Sequence, residues 1–201
     1  QVNVIVDDRA LHEIYLPAFK AAVTEAGVWG IMGAYNMYKN QHNCHNQWLL
    51  NDILKGQWRF DGVVVSDWGG AHDTRQAVEN GLDMEFGTWT DGLAFGTSDA
   101  YDNYYLASPY RKLIQDGTYT EKELNDKVRR VLRLFFRTNM NRNRQFGSLC
   151  SEAHYDAARK IAAEGIVLLQ NKGRVLPIDT LKARRVLVVG ENAIKMMTVG
   201  G

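Results

Sequence analysis

The sequence predicts an α/β fold built around a parallel sheet, and three observations carry that prediction. The run Gly62-Val63-Val64-Val65-Ser66-Asp67-Trp68-Gly69-Gly70 sets three β-branched residues between glycines, the mark of a short buried strand. Strand-like and helix-like stretches alternate through residues 28–86, the pattern of right-handed βαβ units. Each strand-like stretch also carries a residue with chemistry to offer at or near its end: Tyr35, then Asp67, then Asp83 with Glu85.

Taken in order, residues 2–6 form a short β-branched run, and Asp8 is placed to cap the helix that follows. Residues 9–26 put Leu11, Ile14, Tyr15, Ala18, Phe19, Ala22 and Val23 on one helical face, with Gly27 as the stop and Pro17 as the site of a kink or break. A strand over 28–35 ends in Tyr35-Asn36, a polar loop spans 39–46, and a helix covers 47–56. The valine strand comes next, then a short helix over 71–80 and a strand over 82–86. Residues 88–100, rich in Gly, Thr, Ser and Asp, read as a loop over the rim. Two helices follow, over 101–115 and 120–138; the second opens with the capping-box spacing Thr120-Glu121-Lys122-Glu123. Its Arg129, Arg130, Arg133 and Arg137 read as a solvated or salt-bridged face rather than a phosphate site. Residues 139–151 are polar and aperiodic, a linker. Beyond it come a helix over 152–164, an extended apolar run over 166–169 and a buried strand over 185–190 that enters a second α/β domain; residues 199–201 stop in mid-loop.

Composition narrows the function classes. The chain has 201 residues, 45% hydrophobic and 23% charged, with a formal net charge of +1. That is an ordinary globular balance, long enough for one domain and part of another. It gives no footing for nucleic acid or a membrane surface as partner, and no apolar run approaches the roughly 18 residues of a membrane span. The chain opens on Gln1 and not Met, which reads as a segment of something longer. Cys44 and Cys150 lie far apart without metal-ligand spacing, and His42-Asn43-Cys44-His45 crowds its ligand types too closely for one tetrahedral site. No metal or cofactor is expected, and that cluster reads as a loop of buried or hydrogen-bonded side chains.

The carboxyl ends of parallel strands are where ligands and reacting groups meet, because the loops there vary while the strands hold position. Asp67 is therefore the candidate reacting group, with Trp68 as a flat apolar wall beside it. The local pattern supports equally a plain N-cap role for Asp67 at the helix beginning near Ala71.

Asp61-Gly62-Val63-Val64-Val65-Ser66-Asp67-Trp68-Gly69 followed by Gly81-Leu82-Asp83-Met84-Glu85 resembles the nucleophile region of family 3 glycoside hydrolases, the β-glucosidase and β-xylosidase family. Glu13-Ile14-Tyr15-Leu16-Pro17, Met32-Gly33-Ala34-Tyr35-Asn36, Leu49-Leu50-Asn51-Asp52-Ile53-Leu54 and Trp58-Arg59-Phe60 agree in order and spacing. Ala162-Ala163-Glu164-Gly165-Ile166-Val167-Leu168-Leu169-Gln170-Asn171 and Leu176-Pro177 are similar to the entry of that family's second domain.

The resemblance implies the later part of a (β/α)8 TIM-like barrel over residues 1–138, a linker over 139–151 and the first elements of an α/β sandwich over 152–201. It implies a retaining hydrolase of terminal β-linked glucosyl or xylosyl residues, with Asp67 as nucleophile, Trp68, Tyr35 and Met32 lining the sugar site, and an oligosaccharide or β-glycoside as substrate. An exported location suits such a substrate. The family's general acid/base, usually a glutamate of the second domain, matches no residue here; Glu85 and Glu191 do not fit its motif. The chain alone is then expected to be inactive and, with open barrel edges, poorly stable or prone to aggregate. The alternative is a non-catalytic carbohydrate-binding or scaffold fragment of the same fold.

Overall fold

The computed structural model describes residues 2–87, 102, 104–143, 145 and 147–195. It divides into two compact units, Gln1–Arg144 and Gln145–Gly201. The loop expected over 88–100 and the stop over 199–201 lie outside the described residues.

In the first unit, α1 (Asp8–Ala10) runs into a π-helical turn, Leu11–Tyr15, and on into α2 (Leu16–Thr24). The cap is Asp7 rather than Asp8: its Oδ1 accepts from Ala10 N at 2.8 Å. Asp8 instead receives the Tyr38 hydroxyl and the Lys39 ammonium, each at 3.0 Å, which hold its carboxyl below the usual range. Pro17 does not break the helix. It falls where the π turn passes into α2, and the π turn absorbs the change of register.

The sheet that matters is parallel. β2 (Gly30–Met32) pairs with β5 (Val63–Val65) in the register Gly30↔Val63, Ile31↔Val64, Met32↔Val65. On the other flank of β5, Val65 bridges Met84, again in parallel. The strand expected over 82–86 is thus reduced to a bridge, and the cause is visible at Asp83: its Oδ2 accepts the Val64 N–H at 2.8 Å, so a side chain takes a place in the ladder. Leu50 and Leu54 of the π-helix Trp48–Gln57 pack with Phe60, Val64, Ala71, Ala77 and Leu82 as the core around β5.

Part of the loop expected over 39–46 is a hairpin. β3 (Met37–Tyr38) pairs with β1 (Asn3–Val4) in parallel and with β4 (Gln41–His42) in antiparallel fashion. Lys39 and Asn40 both have positive φ, 52° and 61°, the pair of left-handed residues that a two-residue type I′ turn requires.

Three helices complete this unit: α3 (Thr74–Glu79), α4 (Ser108–Gln115) and α5 (Glu121–Arg137). Three of the α5 arginines fasten the loop that feeds β5. Arg130 donates to the carbonyls of Phe60 and Gly62 at 3.1 and 3.0 Å, Arg133 to that of Asp61, and Arg137 grips the Asp61 carboxylate with both terminal nitrogens at 3.0 and 2.6 Å. Deeper in, Lys55 donates to Asp83 at 2.7 Å. Lys127 donates to the carbonyls of Ala77, Val78 and Leu82, and burial pushes its ammonium down to about 8.

The second unit carries α6 (Glu152–Gly165), which buries none of its residues. The buried strand expected over 185–190 is not one: those residues form no strand, and Val186 to Val189 are exposed. A β-branched run acquires a ladder and a dry face only from neighbouring strands and a covering layer, and the described residues of this unit provide neither.

Candidate active site

Every polar group of interest lies just past the carboxyl ends of the parallel strands. Gly33 N donates to Val65 O at 2.9 Å and Ser66 N to Met84 O at 2.9 Å, so the three chain segments leave the sheet together. Ser66 is buried and its hydroxyl accepts from Phe86 N at 2.8 Å. Asp67 follows it, half-buried, with its Oδ1 accepting from Trp68 N at 2.6 Å.

The chain then turns sharply. Gly70 N donates to Asp67 O at 2.9 Å, and Gly69 sits at the third position of that turn with φ 71°, the conformation a type II turn reserves for glycine. Gly69 N also donates to Phe86 O at 2.8 Å, pinning the turn to the neighbouring strand end. Gly70 is tight for a second reason: a Cβ there would meet Cys44 Sγ at 2.6 Å.

Asp67 does not cap a helix. The N-cap of α3 is Asp73, whose Oδ1 accepts from Gln76 N at 2.7 Å. The carboxylate of Asp67 is therefore left at the rim, free of the structural duty that local pattern alone allowed it.

Tyr35 and Trp68 come together. The Tyr35 hydroxyl donates to the Trp68 carbonyl at 2.8 Å, and its pKa is raised, first by burial and then by the hydrogen bond and charge of Asp67. Trp68 is 53% exposed, and its ring lies against Gly87, where a Cβ would come within 2.4 Å of it. Met32 closes β2 opposite Val65 and presents an exposed side chain. Asp67, Trp68, Tyr35 and Met32 thus share one rim as an open ledge. An apolar cleft of about 200 Å³ lies elsewhere, between Leu106, Tyr110 and the Leu124, Val128 and Leu132 face of α5.

The other carboxylates near the rim are committed. Glu85 accepts from Leu106 N at 2.8 Å, and burial raises its pKa against the pull of the Leu106 and Tyr105 amides. Asp83 is shared between Lys55 and the Val64 amide. Apart from these, Glu191 belongs to the second unit and is paired there with Lys195.

Behind the turn lies a group that sequence reading placed in a loop without a task. The rings of His42 and His72 stack at 4.0 Å, with His45 5.5 Å from His42. Among the described residues no cluster of His, Cys, Asp and Glu is arranged to hold a metal ion. The signal for this group was a third histidine, His72, in the same polar stretch as Asp67, but nothing in the spacing joins it to residues 42–45.

A parallel sheet flanked by helices, with a carboxylate and aromatic side chains gathered at its carboxyl rim, defines an α/β domain whose strand ends are free to meet a ligand. The chain belongs to glycoside hydrolase family 3: the model described as the glycosyl hydrolase family 3 N terminal domain matches residues 2–134. It is 51% identical over 205 residues to the Beta-glucosidase BoGH3A of Bacteroides ovatus, covering all of this chain and 27% of that protein. It is 31% identical over 209 residues to an Exo-alpha-(1->6)-L-arabinopyranosidase of Bifidobacterium longum, covering all of this chain and 26% of that one. Among solved structures, DesR, a beta-glucosidase from Streptomyces venezuelae in complex with D-glucose, superposes with a TM-score of 0.69 at 30% identity, over 88% of this chain and 23% of DesR. The chain therefore spans about a quarter of the length of these relatives.

Proposed function

We propose that this chain is the nucleophile-bearing part of a retaining glycoside hydrolase that cleaves terminal β-linked glucosyl or xylosyl residues by double displacement. The observation that carries the reading is Asp67: a carboxylate at the carboxyl end of the inner parallel strand, not used as a helix cap, beside an exposed indole ring. In this reading Asp67 attacks the anomeric carbon from a rigid strand end and forms the glycosyl-enzyme. Trp68 stacks on the apolar face of the sugar, while Tyr35 and Met32 line the same subsite. The Tyr35 hydroxyl, tied to the Trp68 carbonyl, holds the ring and the carboxylate in one frame.

Residues 1–138 are then part of a (β/α)8 barrel, 139–151 a linker and 152–201 the opening of an α/β sandwich. A retaining mechanism needs a second carboxyl about 5–5.5 Å from the first. Glu85 and Asp83 are held by backbone amides and Lys55, so the acid/base comes from outside these residues and the chain alone does not turn over. The relatives' names support a glycoside as substrate, a β-glucoside first; the arabinopyranosidase widens the class to a pentopyranoside.

The test is mechanism-based labelling of the full-length protein with a 2-fluoro-β-glucoside and mass analysis of the labelled peptide. Covalent label on Asp67, with turnover reduced on the order of 10⁴-fold or more in Asp67→Ala, supports the reading. Saturable sugar binding without label supports a non-catalytic carbohydrate-binding role instead, and full turnover by Asp67→Ala overturns the nucleophile assignment.

A further inference from the structure

We propose that His45 is a positioning residue for the catalytic turn, holding its far end by accepting a backbone hydrogen bond on a neutral imidazole. The inference rests on Asp67 being the nucleophile and concerns how the turn of residues 67–72 is kept in place.

His45 is 1% exposed and sits on the 3-10 turn Asn43–His45 that follows β4. Its Nε2 lies 3.2 Å from the His72 backbone N–H, which only donates, so Nε2 is the bare nitrogen. In a neutral ring the proton is then on Nδ1, and it faces Gln76 Oε1 of α3 at 3.2 Å. The side-chain amide of Asn80 anchors the His45 carbonyl at 3.0 Å. One buried ring thus links the hairpin, the catalytic turn and α3. The residue before it works at the same turn, since Cys44 Sγ fills the space a Cβ on Gly70 would need. The strand end fixes Asp67 from one side, and the Cys44-His45 pair backs the turn from the other.

A protonated imidazole has no acceptor. The His72 N–H would then meet an N–H, and the far end of the turn would lose its anchor. The groups facing the ring pull in both directions: burial and His42 from β4 oppose the charge, while the Gln76 side chain, a backbone hydrogen bond at His45 and Asp73, the α3 cap, favour it, and the opposing side prevails. Burial, followed by His42, holds the His45 pKa below its ordinary value, so the acceptor is present at neutral pH and is lost on acidification below that value.

The experiment measures the labelling rate of Asp67 by the same 2-fluoro glycoside in the full-length protein, in wild type, His45→Phe and His45→Gln. Phe keeps a flat ring and removes the acceptor, while Gln carries an oxygen to about where Nε2 lies and does not titrate. The expected result is labelling about 10²-fold slower in His45→Phe, the cost of a displacement near 1 Å at a reacting group, with most of it recovered in His45→Gln. Wild-type labelling also falls more steeply on acidification than that of His45→Gln. A His45→Phe protein labelled as fast as wild type overturns the inference. If His45→Phe does not fold, superimposable pH profiles for wild type and His45→Gln overturn it. A wild type that turns over without label on Asp67 overturns the nucleophile reading itself, and this inference with it.

Discussion

Two apolar runs of similar make-up meet opposite ends in this chain. Val63-Val64-Val65 in the first unit has its first two residues at 0% exposure, whereas Val186-Leu187-Val188-Val189 in the second stands 69 to 87% exposed. Both are rich in β-branched valine and both run into a polar segment. The difference is company. β5 has β2 on one flank and Met84 on the other, with Leu50, Leu54 and Phe60 around it; the later run has no strand partner among the described residues. Extended backbone is a local preference, but a strand is a pairing, and only a paired strand can hold a carboxylate at a fixed point on its rim.

The largest expected effect comes from removing what braces β5 from below. Asp83 is buried, accepts from the Val64 amide and neutralises Lys55, with Arg130 Nε 3.9 Å away. Asp83→Asn leaves the cations without their counter-charge, and breaking a buried pair in this way costs about 3–5 kcal/mol. Urea denaturation of the full-length protein reads this directly; a loss below about 1 kcal/mol would show that β5 is held by packing alone. The exposed pairs of the second unit, such as Arg159 with Asp156, offer no comparable target.

A smaller effect compares the two runs side by side. Val64→Ala empties part of a packed core and is expected to cost roughly 1–3 kcal/mol. Val188→Ala removes surface already in water and should stay within about 0.5 kcal/mol. Equal shifts in the two denaturation midpoints would erase the distinction drawn between the units.

The same distinction explains what was legible in the sequence. Asp67 and Tyr35 stand out because each stands at the end of a strand-like run, and a parallel sheet brings such ends to one rim. The α5 arginines read as a solvated or salt-bridged face because charge balance argues against a phosphate site, and Arg130, Arg133 and Arg137 are ion-paired. What escaped depends on partners distant in sequence. Asp83 enters the ladder of β5 through its side chain, which no strand periodicity records. The Lys39-Asn40 turn lacks the glycine that announces a type I′ hairpin. His45 and His72 meet across 27 positions, and His42-Asn43-Cys44-His45 could be read only against metal geometry, where it fails. The run at 185–190 was misread for the converse reason: its local signal is strong and its partners are not among the described residues.

The smallest effect sharpens the comparison at the level of single helices. α5 and α6 both begin on a hydroxyl residue: Thr120 Oγ1 accepts from Lys122 N at 3.2 Å, and Ser151 N donates to His154 Nδ1 at 3.3 Å. α5 is coupled to the core through Lys127 and to the β5 entry loop through Arg130, Arg133 and Arg137, so fraying its first turn is felt by the whole unit. Thr120→Ala is therefore expected to lower the stability of the first unit by about 1 kcal/mol. α6 buries nothing, and a helix without packing stands on propensity and caps alone. Ser151→Ala should reduce helix content in far-UV circular dichroism without moving the unfolding midpoint of the first unit. A midpoint shift from Ser151→Ala as large as that from Thr120→Ala would show that α6 shares the cooperative core, and the contrast between the two units would no longer hold.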